Sequence, residues 1–464
     1  MGSYDPTNQE ALTFHDAVPA FRDGTDTPRA YLERCLETIS ARDGKVKAYV
    51  TLNQDSARAA ADAATLRYQA GQALSAIDGM PISIKDLLET RDMPTQMGCE
   101  AYIGHFPKND NAAVWALRQA GAVILGKTVT AELGGTHPGP TTNPYDATRT
   151  PGGSSSGSAA AVASAMVPVA IGTQVGGSII RPAGFCGNMA LKPTQGGINR
   201  GERQTTSMST HGVHANSIED MWQTAIEIAR RAGGDRGCRG LYGPAQPPAP
   251  AKPERLVVLE TAGWEILDDP SRAAFETLLE RLADAGIILL RRGDNVLVEA
   301  LEHAIAEAVA IAGAITGWEN RWGHRNLLDQ KGEFVSDRLK AGLARAEAMR
   351  HDDYRAALMA RETAQQCHAM VAPLADAAIT LSCPGPAPIW AGDVQGEPLV
   401  PRPTGDAIFN TPSSMLFAPC VTMPLMAVGG LPVGAQLMGQ QHQDATMTAH
   451  ARWILGNIPP IVIS

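Results

Sequence analysis

The sequence predicts an α/β fold in which helices cover both sides of a mostly parallel or mixed sheet. Two observations lead there. Short apolar runs of strand length alternate with longer segments whose apolar residues recur at helical spacing, and the alternation continues along nearly the whole chain. Composition agrees: of 464 residues, 44% are hydrophobic and 19% charged, enough apolar material for a large core and too little charge for disorder.

Thr27-Pro28 opens a helix as N-cap and first position, and Leu32, Leu36 and Ile39 carry it to about Ala41. An Ala-rich helix runs from Asp55 to about Ala70 and stops at Gly71. Pro81 to Ile84 alternates like a short strand. Asn111 to Ala120 reads as a helix ended by Gly121, and Ala122–Leu125 and Val167–Ile171 read as buried strands. Ser217 to Arg231 is helical, capped by Asn216 or Ser217, with acids at 219 and 220. Gly243 to Pro253 is Pro-rich and reads as a surface connection inside one domain. After it come strand Leu256–Leu259, helix Ser271–Ala285, strand Ile287–Leu290 and helix Leu297–Ala312. A charged stretch, 317–350, carries Trp318 and Trp322, and helix Tyr354–Val371 and strand Ala378–Leu381 follow. The chain has no internal repeat.

Charge and motif absences narrow the function classes. With 39 Lys and Arg against 48 Asp and Glu, the net charge is −9, which argues against nucleic acid or an anionic membrane as the main partner. No run approaches the ~18 apolar residues of a membrane span. The opening Met-Gly-Ser-Tyr-Asp-Pro lacks the basic and apolar regions of a secretory leader, and Pro6 sits where myristoylation needs Ser or Thr. Seven cysteines without C-x-x-C pairing fit reduced thiols, so a cytoplasmic location is expected. Eleven histidines include no H-E-x-x-H, so neither a metal nor a cofactor is expected.

The chemistry concentrates in two Gly/Ser runs. Thr150-Pro-Gly-Gly-Ser-Ser-Ser-Gly-Ser158 leads into the Ala-rich Ala159–Ala165, and Gly172-Thr-Gln-Val-Gly-Gly-Ser-Ile-Ile-Arg-Pro-Ala183 follows. Glycines let backbone amides converge on a negative oxygen, and the small hydroxyl residues between them supply nucleophiles or proton carriers. Both runs abut apolar stretches, unlike a linker. Neither is followed by G-K-[S/T], so a phosphate cradle is disfavoured. A serine hydrolase fits better, yet the G-x-S-x-G elbow of Ser-His-Asp enzymes is absent. Lys85, at the end of the Pro81–Ile84 strand, is a candidate base.

Gly79-Met-Pro-Ile-Ser-Ile-Lys-Asp86, Gly152-Gly-Ser-Ser-Ser-Gly-Ser158 and Gly176-Gly-Ser178 closely resemble the three motif blocks of the amidase signature family. Ala183-Gly-Phe-Cys-Gly187, Leu191-Lys-Pro-Thr194, His211-Gly-Val213 with Ser217-Ile-Glu-Asp220, and Gly430–Gly439 extend the resemblance over roughly Thr27 to Trp453. It implies an amidase-signature fold, with a central mixed sheet flanked on both sides by helices. One domain would span 1–464: a helical segment to about 75, a catalytic core of about 76–232, the 243–253 loop, and a part from 254 completing the sheet and substrate pocket. It also implies a Ser–Ser–Lys triad with Ser178 as nucleophile, Ser154 as bridging serine on a cis peptide, and Lys85 as base. The amides of Val175, Gly176, Gly177 and Ser178 would form the oxyanion hole. Substrate contacts are expected from Arg181, Gln174, Thr173, Gly153 and Met80.

The implied activity is metal-independent cleavage of amide C–N bonds through an acyl-enzyme, with carbamates, urethanes and esters within chemical reach. The substrate would be a small molecule, and a homodimer is compatible with the resemblance. One alternative is the A subunit of a tRNA-dependent amidotransferase. That subunit's loop usually places Arg two residues after the nucleophile, followed by Gln-Pro-Ala, whereas here the order is Ile179-Ile180-Arg181-Pro182-Ala183. The other is a non-catalytic binding protein on the same fold, against which the presence of all three triad residues argues.

Departures from the family pattern are Gln174 for a common Asp, Val175 for a common Thr, Ser156 for Gly, and Asn188-Met189-Ala190 for a more apolar stretch. Arg181 either holds a substrate carboxylate, as in malonamidase-like members, or pairs with a buried acid; the second is the expectation. Cys186 is expected in the core, Ser155 and Thr173 around Ser154, and Ser158 as a helix cap. Specificity should come from the irregular segments Thr136–Asn143, Gln204–Thr210, Trp318–Arg325 and Pro384–Pro403, whose Met, Trp and Pro suggest an apolar or aromatic pocket.

Overall fold

The computed structural model describes residues 2–8, 11–202 and 206–464. Its strands, in chain order, are β1 Tyr49–Leu52, β2 Pro81–Lys85, β3 Val123–Thr128, β4 Val169–Gln174, β5 Met189–Lys192 and β6 Thr210–Ala215. There follow β7 Arg255–Val258, β8 Ile288–Leu290, β9 Ala377–Leu381, β10 Cys420–Val428, β11 Leu431–Met438 and β12 Ile461–Ile463. All join one sheet in the order β1-β3-β2-β4-β6-β5-β10-β11-β9-β7-β8, with β12 beside β10. β2 runs parallel to both β3 and β4, and β7 to β8 and β9. β6 returns antiparallel between β4 and β5. The sheet is therefore mixed, as the sequence predicts.

Alternating side chains explain why both faces are covered. On β3, Val123 and Leu125 pack with Leu32, Leu36 and Ala61 of the first helices, while Ile124 joins the opposite cluster with Phe14 and Trp222. On β7, Leu256 and Val258 face that same cluster, and Val257 faces one built around Ile305, Ile315 and Val371. Thr27 caps its helix by accepting from the Ala30 amide at 3.0 Å, and that helix extends to Val46 rather than Ala41. Asn53 caps Gln54–Gln69, and Ser217 caps Ile218–Ala232. The 243–253 segment lies along the surface, held where Pro244 O accepts from Trp222 Nε1 at 3.0 Å and Pro248 O from Arg452 at 3.0 Å.

The expected helix Leu297–Ala312 divides into Val296–Ile305 and Ala308–Lys331. Glu302, buried in the first piece, accepts the amides of Glu260 and Thr261 at 2.6 and 3.0 Å and ties that piece to the end of β7. The charged 317–350 stretch is not irregular. It continues the second helix to Lys331 and forms another, Asp337–Glu347, capped by Ser336. Ser158 caps nothing: it lies inside helix Ser156–Ala163, exchanging a hydrogen bond with Thr128 at 2.8 Å and donating to Ile171 O at 3.0 Å. No helix among the described residues is long and apolar enough to cross a membrane.

Next to the end of β2, Asp86 forms an ion pair with Lys127 of β3 at 3.0 Å, both fully buried. Lys127 also donates to Thr95 Oγ1 at 2.7 Å and Pro94 O at 3.1 Å. Removing one partner of such a pair leaves an uncompensated buried charge. Lys127→Met is expected to lower unfolding stability by about 3–5 kcal/mol. The double variant Lys127→Met/Asp86→Leu should lose clearly less; urea titration of both variants checks this.

Candidate active site

Parallel pairing of β2 with β4 places their C-terminal ends at the same edge of the sheet, the usual position of active-site residues in α/β proteins. Lys85 is the last residue of β2. β4 feeds the loop carrying Gly176, Gly177 and Ser178, and helix Ile180–Cys186 begins directly after it. Ser154 stands just before the buried helix Ser156–Ala163, and the Gly153–Ser154 peptide is cis. The Ser155 amide donates to Ser178 O at 3.3 Å, tying the two serine loops together.

Lys85 is wholly buried, and its contacts are hydroxyls and a carbonyl rather than a carboxylate. Its Nζ lies 2.7 Å from Ser154 Oγ, 2.9 Å from Ser155 Oγ, 2.8 Å from Thr173 Oγ1 and 3.3 Å from Thr173 O. Burial pushes its pKa well below that of an ordinary lysine, and the Arg181 guanidinium pushes it further the same way. A neutral amine has two protons to give and one lone pair. Ser155 and Thr173 can take the protons, leaving the lone pair for the Ser154 hydroxyl.

Ser154 and Ser178 line the same cavity, of about 400 Å³. Among the described residues, the amides of Gly176, Gly177 and Ser178 have no hydrogen-bond acceptor. Gly177 is glycine for a local reason: a Cβ there would stand 2.7 Å from Asn410 Oδ1.

The structure separates the other predicted site residues. Thr173 and Val175 line the cavity. Gln174 points away from it. Its Oε1 accepts the amides of Ile179 and Ile180 at 2.9 and 3.0 Å, and its Nε2 donates to Ser414 at 3.1 Å, so the carboxamide fixes the loop after Ser178. Met80 lies in the hydrophobic core, its sulfur 3.7 Å from Thr224 Oγ1. Arg181 lacks the expected acid partner. It is buried without a carboxylate partner among the described residues, and its Nη2 donates to Gly153 O at 2.6 Å and Thr404 Oγ1 at 3.1 Å. It therefore clamps the peptide that precedes Ser154. Gly153 serves this contact through its carbonyl rather than lining the cavity. Burial lowers Arg181 only to about 10, so it stays a cation at neutral pH. Cys186 is buried, with its Sγ 3.3 Å from Pro151 O.

The cavity wall is apolar where Leu87, Met97, Leu133, Leu327 and Leu339 meet. Tyr102 adds an aromatic ring to that wall, whereas Trp318 and Trp322 do not line it. Trp318 stacks on Tyr354 with centroids 5.5 Å apart, and Trp322 is exposed. From the segments expected to set specificity, Thr206, Ser209, Asn320 and His324 do reach the cavity, while Gln204 and Thr205 lie outside the described residues. A second cavity of about 570 Å³ adjoins the first through Glu132, Gly135, Thr316, Asn320, His324 and Leu339. Glu132 and Arg200 carried no motif and escaped sequence reasoning. Among the described residues no group of three or more His, Cys, Asp or Glu could hold a metal ion.

The family model Amidase matches residues 30–447, about nine-tenths of the chain. The chain belongs to the amidase signature family. It is similar to the A subunit of glutamyl-tRNA(Gln) amidotransferase from Chloroflexus aurantiacus, 39% identical over 229 residues. That match spans 48% of this chain and 46% of the relative, so less than half of each. The corresponding protein of Koribacter versatilis is 30% identical over 477 residues, covering 95% of this chain and 97% of the relative. A crystal structure described as an amidase superimposes with a TM-score of 0.83 at 27% identity, covering 97% of this chain and all of the other. Amidase signature enzymes hydrolyse amide C–N bonds, and the fold and family predicted from the motif blocks are those found.

The role of Gln174 is testable without an assay of activity. Gln174→Leu strands the amides of Ile179 and Ile180 and the Ser414 hydroxyl in a buried setting. It should destabilise the protein by about 1–3 kcal/mol, read as a fall in the urea midpoint at unchanged m-value.

Proposed function

We propose that this chain is a stand-alone amidase that cleaves small amides through an acyl-enzyme on Ser178. The observation that carries the reading is the 2.7 Å contact between Lys85 Nζ and Ser154 Oγ, made by a buried amine that burial holds toward its neutral form. Neutral Lys85 takes the Ser154 proton as Ser154 takes that of Ser178, and the freed Ser178 Oγ attacks the substrate carbonyl. The amides at Val175 to Ser178 receive the negative charge that develops on oxygen. Lys85 then returns its proton through Ser154 to the leaving nitrogen, the C–N bond breaks, and an amine departs. Water, deprotonated by the same relay, attacks the ester to Ser178 and releases the acid. No step needs a metal or cofactor. Carbamates and urethanes present the same carbonyl to Ser178, and the apolar wall from Leu87 to Leu339 suits an alkyl or aryl substituent.

The relatives' names support a second reading, an amidotransferase component that works with partner chains. The order Ile179-Ile180-Arg181 speaks for the first. Purified chain, without partners, offered a panel of amides, carbamates and esters decides: release of amine by the chain alone supports the stand-alone enzyme, and turnover only with added partner chains and glutamine supports the other.

Ser178→Ala should abolish turnover at an unchanged melting temperature. Wild type quenched during turnover should carry the acyl mass on the peptide containing Ser178, as read by mass spectrometry.

Activity should rise with pH along a limb set by Lys85, because only the amine, not the ammonium, can accept the Ser154 proton. Its lowered pKa moves that limb to lower pH than an ordinary lysine, at about 10.4, would give. Arg181 contributes to the lowering, so Arg181→Met should let Lys85 hold its proton more tightly and move the limb to higher pH. The pH profile of kcat/KM for both enzymes measures this. Lys85→Ala should remove the limb and reduce amide turnover more than that of an activated ester, whose leaving group needs no proton.

A further inference from the structure

His211 is the unexplained polar group of the catalytic cavity. It lies on β6 opposite Thr173 of β4, and residues paired this way in an antiparallel ladder share a face of the sheet. Its ring reaches the cavity that Ser154, Thr173 and Ser178 line. The residue is 7% exposed, and among the described residues neither Nδ1 nor Nε2 has a hydrogen-bond partner. A buried imidazole has one N–H to donate and one nitrogen lone pair to fill, so leaving both unmet in the free enzyme is unfavourable. The neighbouring hydroxyls Thr173 Oγ1 and Ser155 Oγ accept from Lys85, and neither makes a hydrogen bond to the ring.

Its side of the cavity is fixed by Thr173. Thr173 holds Lys85, and Lys85 with Ser154 delivers the proton to the leaving nitrogen in the mechanism above. A substrate whose amine half lies on the Thr173 side of the cavity would bring it to His211.

Resting on that mechanism, we propose that His211 is a specificity-determining residue whose ring hydrogen-bonds a polar atom in the amine half of the substrate. The favoured substrates are then amides whose amine carries an ether, carbonyl or similar acceptor close to the nitrogen, rather than plain alkylamides. Burial, with Arg200 and Lys85 nearby, holds the imidazole pKa down to about 3. The ring is thus a neutral donor and acceptor throughout the working pH range, and no proton transfer is assigned to it.

Isosteric substrate pairs test this, because exchanging one CH2 for O changes hydrogen bonding with little change of shape. N-butylacetamide is compared with N-(2-methoxyethyl)acetamide, and N-pentylacetamide with N-(3-methoxypropyl)acetamide, by kcat/KM for amine release. The acyl-side control pairs N-butylpentanamide with N-butyl-3-methoxypropanamide. Wild type should favour the ether by about tenfold in at least one amine-side pair, since a site with a waiting buried polar group penalises the analogue that leaves it unpaired. His211→Phe should bring that ratio to about one or below, and His211→Asn, which keeps a donor and an acceptor, should restore part of it. The ratio within a pair is independent of how much active enzyme each variant yields. The acid limb of the pH profile should keep its position in His211→Asn. Absence of an amine-side preference in wild type, a preference confined to the acyl side, or an amine-side preference that survives His211→Phe each overturns the inference while leaving the hydrolase reading intact. If wild type hydrolyses none of these amides or any in the broader panel, the hydrolase reading falls and takes this inference with it.

Discussion

Lys85 sits at the end of β2 with no carboxylate among the described residues to balance it, and the surrounding residues are arranged around that condition. A buried ammonium without a counter-ion is far more costly than a buried amine, so the site favours Lys85 in its neutral form. Lys127, on the next strand and equally buried, shows the contrasting solution, since it pairs with Asp86. The two lysines differ in partner rather than in depth. Nearby, Ser155 and Thr173 lock each other: the Thr173 amide donates to Ser155 Oγ, which donates back to Thr173 O, both at 3.2 Å. Gly172 must lack a side chain because a Cβ would lie 2.8 Å from His214 Nε2 and 2.9 Å from Ser155 Oγ. Gly157 must too, since a Cβ there would collide with Ala48 O and lie 2.5 Å from Val129 N. The small residues of the Gly/Ser run thus serve packing around a polar layer as well as chemistry.

That layer also explains Arg181. Its guanidinium adds a fixed positive charge close to Lys85 while using its own hydrogen bonds on Gly153 O and Thr404 Oγ1. One cation therefore orients the Ser154 peptide and disfavours protonation of the base. A carboxylate in its place as partner to Lys85 would do the opposite, stabilising the ammonium and leaving Ser154 without an acceptor.

What the sequence revealed follows the range of the interactions involved. Helix starts at Pro28 and Ile218 were legible because their caps, Thr27 and Ser217, act within three residues. β2, β3 and β4 were legible as short apolar runs. β5 and β6 were not, because Met189–Lys192 and Thr210–Ala215 carry Lys, Thr and His, and their strand character comes from neighbours rather than composition. The three residues proposed as a triad were singled out through motif resemblance, and the sheet brings Lys85 beside Ser154. The orientations of Gln174, Met80 and Arg181 were not, since each depends on a residue far along the chain: Ser414, Thr224 and Thr404 respectively. His211 was visible only as part of a motif. Its significance appears when β6 pairs with β4 and sets it opposite Thr173.

The two walls of the cavity are held by different physics. One belongs to the sheet, where ladder pairing fixes Thr173 and His211. The other comes from helices Ala308–Lys331 and Asp337–Glu347, attached by apolar packing of Ala312, Ile315, Leu327 and Val335 and by polar contacts at a few points. Glu132 accepts from the amide of Ser336 at 3.0 Å and from its hydroxyl, Lys331 donates to Ala101 O at 2.6 Å, and Arg338 pairs with Asp393. The first of these helices contains Gly313, Gly317 and Gly323, and a Cβ at Gly313 or Gly323 would meet nothing within 4 Å. Close packing therefore does not account for those two glycines, each of which costs the helix about 1 kcal/mol relative to alanine. The hairpin's position rests on its attachments more than on its own helix propensity. Thr173 and His211 thus lie on a wall whose geometry the sheet dictates, while Thr316, Asn320, Leu327 and Leu339 line the cavity from the helical hairpin.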